Sequence, residues 1–357
     1  MKRNFLTLNE ISEEYAQYAD ELRRGTPTAV FGVSQPLKYL LAGLTPFPVV
    51  YVTADGVSAQ KAAENISALT GKKTAVLAAK DEVLLYRKAL SKDSLFKRLN
   101  GVYALQNGCE VVTAEIDALL QLFPKTLPKI TLTEGEDFDF MGLPARLVQM
   151  GYTRVFEVET KGVFALRGDI LDIYPVNADN PVRIDFFGDT VEKIKPYDIL
   201  TGDRLPSEKT IEILSATDVI VTENDLPALQ KTLENSARKF KTSEAYTRAQ
   251  TIADELLSGE TIHSSFVLPL LENSTDFFSV LPNNTVLIFD EGKRFGINST
   301  LFTKSTRSVS AVCKRGARRL ILAFVNTWTR TLFWISFPPS VAWRCRRLRA
   351  IRSSSNP

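Results

Sequence analysis

Gly32 and Lys38 stand six residues apart, the separation of the first glycine and the lysine in a phosphate-binding loop. That loop has the pattern G-x-x-x-x-G-K-[ST]. Its glycines let backbone N–H groups wrap the phosphates, its lysine reaches the β- and γ-oxygens, and its hydroxyl holds Mg²⁺. Here the intervening residues are Val33, Ser34, Gln35, Pro36 and Leu37, and Tyr39 follows the lysine. Leu37 puts a side chain where the second glycine belongs, Pro36 removes a backbone donor, and Tyr39 is too large to replace a small hydroxyl. Far along the chain, the apolar run Val286-Leu287-Ile288-Phe289 ends in Asp290-Glu291. That is the pattern of an acid that holds Mg²⁺ and a glutamate that polarises water. A loop without its second glycine brings these acids no phosphate. Gly32, Lys38, Asp290 and Glu291 are therefore read as a degenerate nucleotide site, and no cofactor is expected in this segment.

Other chemistry-bearing residues are sparse. His263 is the only histidine, and a surface or packing role is expected for it. Cys109, Cys313 and Cys345 have no metal-ligand spacing and are too few for a disulfide framework. With no cluster of His, Cys and carboxylates to hold a metal, binding is the expected work of the chain rather than catalysis.

The elements that must position these residues follow from the apolar pattern. Residues 10–24 place Ile11, Tyr15, Tyr18 and Leu22 on one helical face, with Gly25 as a C-cap and Pro27 closing it. Strands are expected over 28–31, 48–52, 74–77 and 110–113. Helices are expected over 36–42, from a cap at Ser58 to about 69, and over 83–99 and 114–122. Strand–helix alternation predicts a parallel sheet with right-handed crossovers, and the nearly all-apolar 48–52 predicts a strand buried on both faces. From residue 129 the texture changes to short β-rich segments at 130–133, 154–158, 162–166, 169–174 and 181–187, interrupted by one helix over 143–150. Helices return at 226–240 and 244–257, before the strand that ends at Asp290. The expected architecture is an α/β parallel-sheet domain (1–125 and 216–294) interrupted by an inserted α+β domain (126–215).

Charge is divided sharply along the 357 residues. All 41 Asp and Glu lie at or before Glu291, whereas 14 of the 44 Lys and Arg lie after it. The first 291 residues thus carry −11 and the last 66 carry +14, so the overall +3 says nothing about nucleic-acid binding by the body. Two readings fit the basic tail. Trp343-Arg344-Cys345-Arg346-Arg347 combines charge with an aromatic ring, as a nucleic-acid or anionic-membrane segment would. The abruptness of the change instead favours a reading frame that slips near Phe295, leaving 295–357 unstructured. There is no apolar signal core at the N-terminus and no run of about 18 apolar residues. A cytoplasmic location without a membrane partner is expected.

The strongest pattern lies between Thr153 and Arg204. It reads R-G-D-x-x-D-I-[FY]-P from Arg167, R-[IL]-[DE]-F-F-G-D from Arg183, and D-x-x-T-G from Asp198. This segment closely resembles the UvrB-homology region of the bacterial transcription-repair coupling factors (Mfd) and the excision-repair protein UvrB. The likeness extends over roughly residues 5–294 and includes "YVTADGVSAQKAAENI" and "FVLPLLENSTDFFSVLPNNTVLIFDE". The resemblance implies a degenerate P-loop, helicase-like domain carrying an inserted UvrA-binding domain. UvrB keeps an intact loop where this chain has Leu37-Lys38-Tyr39, so the loop sides with the coupling factors. By the same resemblance, UvrA is the partner and Arg167, Arg183 and Phe187 dock it. Alternation in the strand places Arg183, Asp185 and Phe187 on one face and Ile184 and Phe186 on the other, and the mixed face favours surface over core.

The family's RNA-polymerase-binding and translocase domains, with their ATP, Mg²⁺ and DNA sites, would lie outside this segment. The chain is then expected to be an N-terminal fragment, itself non-catalytic, that recruits UvrA to RNA polymerase stalled at DNA damage. The alternative from the same relatives is a UvrB-like, ATP-dependent repair enzyme.

Overall fold

The computed structural model describes residues 13–25, 28–79, 92–221 and 271–290, positions 225, 227–229, 231 and 268, and the strands 321–326 and 349–352. The chain divides into two compact units, Met1–Gln121 with Asp276–Pro357, and Leu122–Thr275. The first unit opens with α1 (Glu13–Arg23), β1 (Thr28–Phe31), α2 (Gln35–Leu44), β2 (Val49–Thr53), α3 (Gly56–Thr70), β3 (Thr74–Leu77), α4 (Lys92–Gln106) and β4 (Val111–Glu115). The second unit contains β5 (Leu122–Pro124), β6 (Lys129–Thr133), α5 (Leu143–Gln149), β7 (Thr153–Arg154), β8 (Val163–Arg167), β9 (Ile170–Tyr174), β10 (Val182–Phe187), β11 (Thr190–Pro196) and β12 (Thr210–Leu214). After β13 (Ser274–Asp276), the first unit resumes with α6 (Phe277–Val280), β14 (Val286–Asp290), β15 (Ile321–Asn326) and β16 (Arg349–Arg352).

The first unit is built on a seven-stranded sheet in the order β16-β1-β15-β14-β2-β4-β3, and every strand pair in it is parallel. All five residues of β2 are buried, as an apolar strand covered on both faces requires. Its Tyr51 joins Tyr18, Leu22, Leu41, Ile66 and Ile288 in one core cluster. The cap of α3 is Asp55 rather than Ser58: the Asp55 carboxylate accepts the Ser58 N–H at 2.8 Å. At its other end Gly71 takes φ +69° and donates to the Ser67 carbonyl, the left-handed C-terminal cap that glycine accommodates without strain. A helix expected over 114–122 is not formed. The strand continues to Glu115, and Ile116–Leu120 is a 3-10 turn whose buried Ile116, Ala118 and Leu119 supply the apolar residues that suggested a helix. Two stretches of the basic tail are strands flanking β1, so the tail is not irregular throughout. The run Ile321-Leu322-Ala323-Phe324-Val325 is uninterruptedly apolar, a strand signal that the charge asymmetry of the tail obscured.

The second unit holds a five-stranded sheet, β11-β10-β9-β8-β7, and a two-stranded sheet, β12-β6. The β11-β10-β9-β8 pairs are antiparallel, and β7 joins β8 in parallel. One face of the larger sheet is core: Phe164, Leu171, Ile173, Val182, Ile184, Phe186, Val191 and Ile194 are buried. The buried Tyr152 hydroxyl donates to the Leu214 carbonyl at 2.7 Å and accepts from the Val176 N–H at 3.3 Å, tying the end of β12 to the segment after β9. This unit extends past the expected boundary at 215. Ser215 Oγ bonds the Met150 carbonyl, the Ala216 N–H bonds the same oxygen, and Val219, Leu229, Leu268 and Leu271 form a small core of their own. The expected helices at 226–240 and 244–257 lie mostly outside the described residues, as does His263. No described helix is long and apolar enough to cross a membrane.

Candidate functional site

Two hairpins of the larger sheet display the residues singled out in the sequence. β8 turns into β9 through Gly168-Asp169, and β10 turns into β11 through Gly188-Asp189. Gly168 has φ +58° and Gly188 φ +60°, while neither aspartate has a positive φ. A two-residue turn with only its first central residue left-handed is the type II′ pattern, which matches the twist of the flanking strands and calls for glycine there. The repeated Gly-Asp of the two motifs is thus turn chemistry, and the residue preceding each glycine, Arg167 or Phe187, closes a strand. The second turn is clamped: the Asp189 carbonyl accepts the Phe138 N–H, and its carboxylate accepts the Phe140 N–H.

Register assigns the outer face. Arg167 is opposite Ile170, Ile170 opposite Asp185, and Asp185 opposite Lys193. In the next row Ala165, Asp172, Arg183 and Lys195 are paired in turn. Facing residues in antiparallel strands share a side of the sheet, so these rows and Phe187 lie on one side, the reverse of the core face, where Val155 and Val158 cover Ala165 while Ile170 and Phe187 are open. Phe187 is 78% exposed, whereas Phe186 is 4% exposed, as the alternation predicts.

The charges of this face are organised. Arg183 grips Asp172 with both arms of its guanidinium, Nε to one carboxylate oxygen at 2.7 Å and a terminal nitrogen to the other at 2.9 Å. Asp172 is nearly buried and Arg183 about half exposed; the bond to Asp172 raises the pKa of a guanidinium that is already permanently charged. Lys195 pairs with Asp185 in the neighbouring row. Arg167 donates to the Phe156 carbonyl, and its guanidinium lies 4.9 Å from the centre of the Phe156 ring. Tyr197 is half-buried within this cluster. Burial and the Asp172 carboxylate push its hydroxyl pKa up, against the opposing influence of Arg183 and Arg167.

Sequence reasoning missed Phe156 and Leu200. A strand was expected over 154–158, but strand pairing ends at Arg154 and Phe156 is 84% exposed; no periodicity marks a residue that leaves its strand. Leu200 is 91% exposed at the tip of a loop organised by Asp198, whose carboxylate accepts the N–H groups of Leu200 and Thr201 at 2.8 and 3.0 Å. These bonds hold the Asp198 carboxyl below the ordinary carboxylate range. The D-x-x-T-G spacing was the available signal: an aspartate accepting backbone N–H groups two and three residues on forms an Asx turn.

In the first unit, Gly32 follows β1 with φ +71°, and Ser34 occupies the N-cap position of α2 without a side-chain capping bond; the helix begins at Gln35 with Pro36 in its first turn. Leu37 and Tyr39 pack against the core cluster. Lys38 is 2% exposed, and its Nζ lies 2.8 Å from both carboxylate oxygens of Asp290 at the end of β14. The fold thus brings three of the four residues read as a degenerate nucleotide site to one end of the sheet and joins two of them directly. Glu291 lies outside the described residues.

The hairpin face and its motifs define a domain of a known class: residues 130–218 match the family described as UvrB interaction domain. The chain's curated homologues are transcription-repair-coupling factors and UvrB proteins. It is 32% identical to the transcription-repair-coupling factor of Myxococcus xanthus over 232 residues, 60% of this chain and 19% of that protein. It is 26% identical to that of Bacillus subtilis over 270 residues, 71% of this chain and 23% of the relative. With the UvrABC system protein B of Pseudothermotoga lettingae it shares 30% identity over 142 residues, 40% and 22% of the two chains. The chain spans about a fifth of the length of these relatives.

Proposed function

We propose that this chain is a protein-docking module of DNA repair, which binds UvrA through Arg167, Arg183 and Phe187 and recruits it in transcription-coupled nucleotide excision repair. The observation that carries the reading is the exposure of Phe187 on a clamped hairpin, one strand residue away from the core-facing Phe186 and on the same face as the two arginines. An aromatic anchor beside arginines, displayed on a rigid element, is the composition of a binding hot spot, and holding the anchor before association lowers the entropic cost of binding. The match of residues 130–218 to the UvrB interaction domain supports the choice of partner.

The same proposal assigns no ATP or Mg²⁺ to this segment. Lys38, the group that would meet a phosphate, is already neutralised by Asp290, and Leu37 and Tyr39 belong to the core. RNA polymerase and DNA would be engaged by other parts of a coupling factor.

The test is the affinity of the purified chain for UvrA without nucleotide. Phe187→Ala, which removes an exposed ring, and Arg183→Ala, checked for an unchanged circular dichroism spectrum, should each weaken binding by about tenfold or more. Undiminished binding by both variants overturns the assignment.

A further inference from the structure

β1 and β14 belong to the same seven-stranded sheet, yet they do not pair with each other. In the order β16-β1-β15-β14 they are separated by β15, so they stand roughly 10 Å apart, twice the spacing of neighbouring strands. Two features that involve no tail residue hold this gap at its width. Val30 of β1 and Val286 and Ile288 of β14 belong to one core cluster with Tyr18 and Leu22 of α1. α2, which follows β1 after Gly32, carries Lys38 to Asp290 at the end of β14, so an ion pair bridges the two walls at one end of the gap. The walls present backbone N–H and C=O groups to each other across it, and such groups need partners when buried.

We infer that the gap between β1 and β14 is a strand-acceptor site, and that its occupant is the chain's own segment Ile321–Asn326. The segment runs parallel to both walls: Val286 to Asp290 pair with Ile321 to Val325, and Thr28 to Phe31 pair with Ala323 to Asn326. The site sets two demands on an occupant. A strand paired on both sides excludes proline, and one inside a parallel sheet is covered on both faces and calls for an apolar run. Ile321-Leu322-Ala323-Phe324-Val325-Asn326 has neither proline nor charge, although Arg318, Arg319 and Arg330 stand close on either side. The segment splices β1 into the sheet. Among the described strands β1 has no other link to it, since β16 pairs with β1 alone. The basic tail thus supplies a structural strand to the first unit.

Amide exchange on the full chain tests this. Ala323→Pro removes an N–H and places a ring in a strand paired on both sides, so protection of the Ala29, Val30 and Phe31 amides should fall about a hundredfold or more. The amides of β9 and β10, in the second unit, should keep theirs. Disulfide trapping reads the register without the proline variant. In a chain carrying Cys109→Ser, Cys313→Ser and Cys345→Ser, Thr28→Cys with Ala323→Cys should cross-link on mild oxidation, because neighbouring strands lie within the span of a disulfide. Thr28→Cys with Leu322→Cys should not, since successive residues of a strand alternate between faces.

Unchanged β1 protection in Ala323→Pro overturns the inference, as does a cross-link that is absent at Ala323 or equally strong at Leu322. Neither result bears on UvrA docking, which the second unit carries.

Discussion

Replacing Lys38 with methionine removes the ammonium while keeping most of the buried stem, so its effect isolates the ion pair with Asp290 from cavity formation. Lys38 is 2% exposed and the Asp290 side chain 13%, with both carboxylate oxygens engaged at 2.8 Å. Breaking a buried pair by removing one partner costs about 3–5 kcal/mol, because the other charge stays behind uncompensated. The small residual hydration of Asp290 places this pair at the lower end, about 3 kcal/mol, or about 6–12 °C in the melting temperature of a unit of this size. Urea unfolding followed by far-UV circular dichroism, with calorimetry to separate the two units, measures the loss. Adding Asp290→Leu to Lys38→Met should recover most of it, since an apolar pair of similar volume is close to neutral in place of a buried ion pair. A Lys38→Met chain within about 0.5 kcal/mol of wild type would refute the claim that this pair holds β14 to the start of α2. The same assay tests nucleotide binding: a ligand held at 100 times its Kd stabilises by about 2.7 kcal/mol, whereas millimolar Mg-ATP is expected to leave the wild-type midpoint unmoved.

Two further outcomes are expected from local geometry. A methyl group at Gly101 would lie 2.6 Å from the Leu77 Cα and 2.7 Å from the Val76 carbonyl oxygen, so Gly101→Ala must push α4 off β3; a loss of about 1–3 kcal/mol is expected, measurable by thermal unfolding. The Asp198 carboxyl is held below its ordinary range by the Leu200 and Thr201 N–H groups. Its contribution is therefore present above the unfolded carboxylate pKa and is lost as the pH falls through the lower folded value. Amide exchange at Leu200 and Thr201, corrected for intrinsic rates, should speed up over that acid range and should already be fast at neutral pH in Asp198→Ala.

The alternation of apolar strands and helices in residues 28–115 was enough to predict a parallel sheet, because that periodicity is local. Alternation within the strand, equally local, placed Arg183, Asp185 and Phe187 on one face. Boundaries were less legible where apolar residues serve two geometries. Ile116, Ala118 and Leu119 suit a helix, yet they form a 3-10 turn after β4. Ala216 read as the return to the first domain, yet its N–H bonds the Met150 carbonyl beside Ser215.

The sequence by itself singled out Gly32, Lys38 and Asp290, by spacing and by the plain apolar strand before the acid, and singled out Arg167, Arg183 and Phe187 by their place in motifs that resemble the UvrB-homology region. Tertiary structure alone decided what these residues do to one another. Lys38 and Asp290 are 252 residues apart in the chain and become an ion pair because parallel crossovers place the ends of β1 and β14 at the same edge of a sheet. Arg183 meets Asp172, and Arg167 meets Phe156, through strand register and the path of a loop. The reason is range: periodicity and turn chemistry act over a few residues, whereas neutralisation and stacking depend on distances set by the packing of segments far apart in sequence.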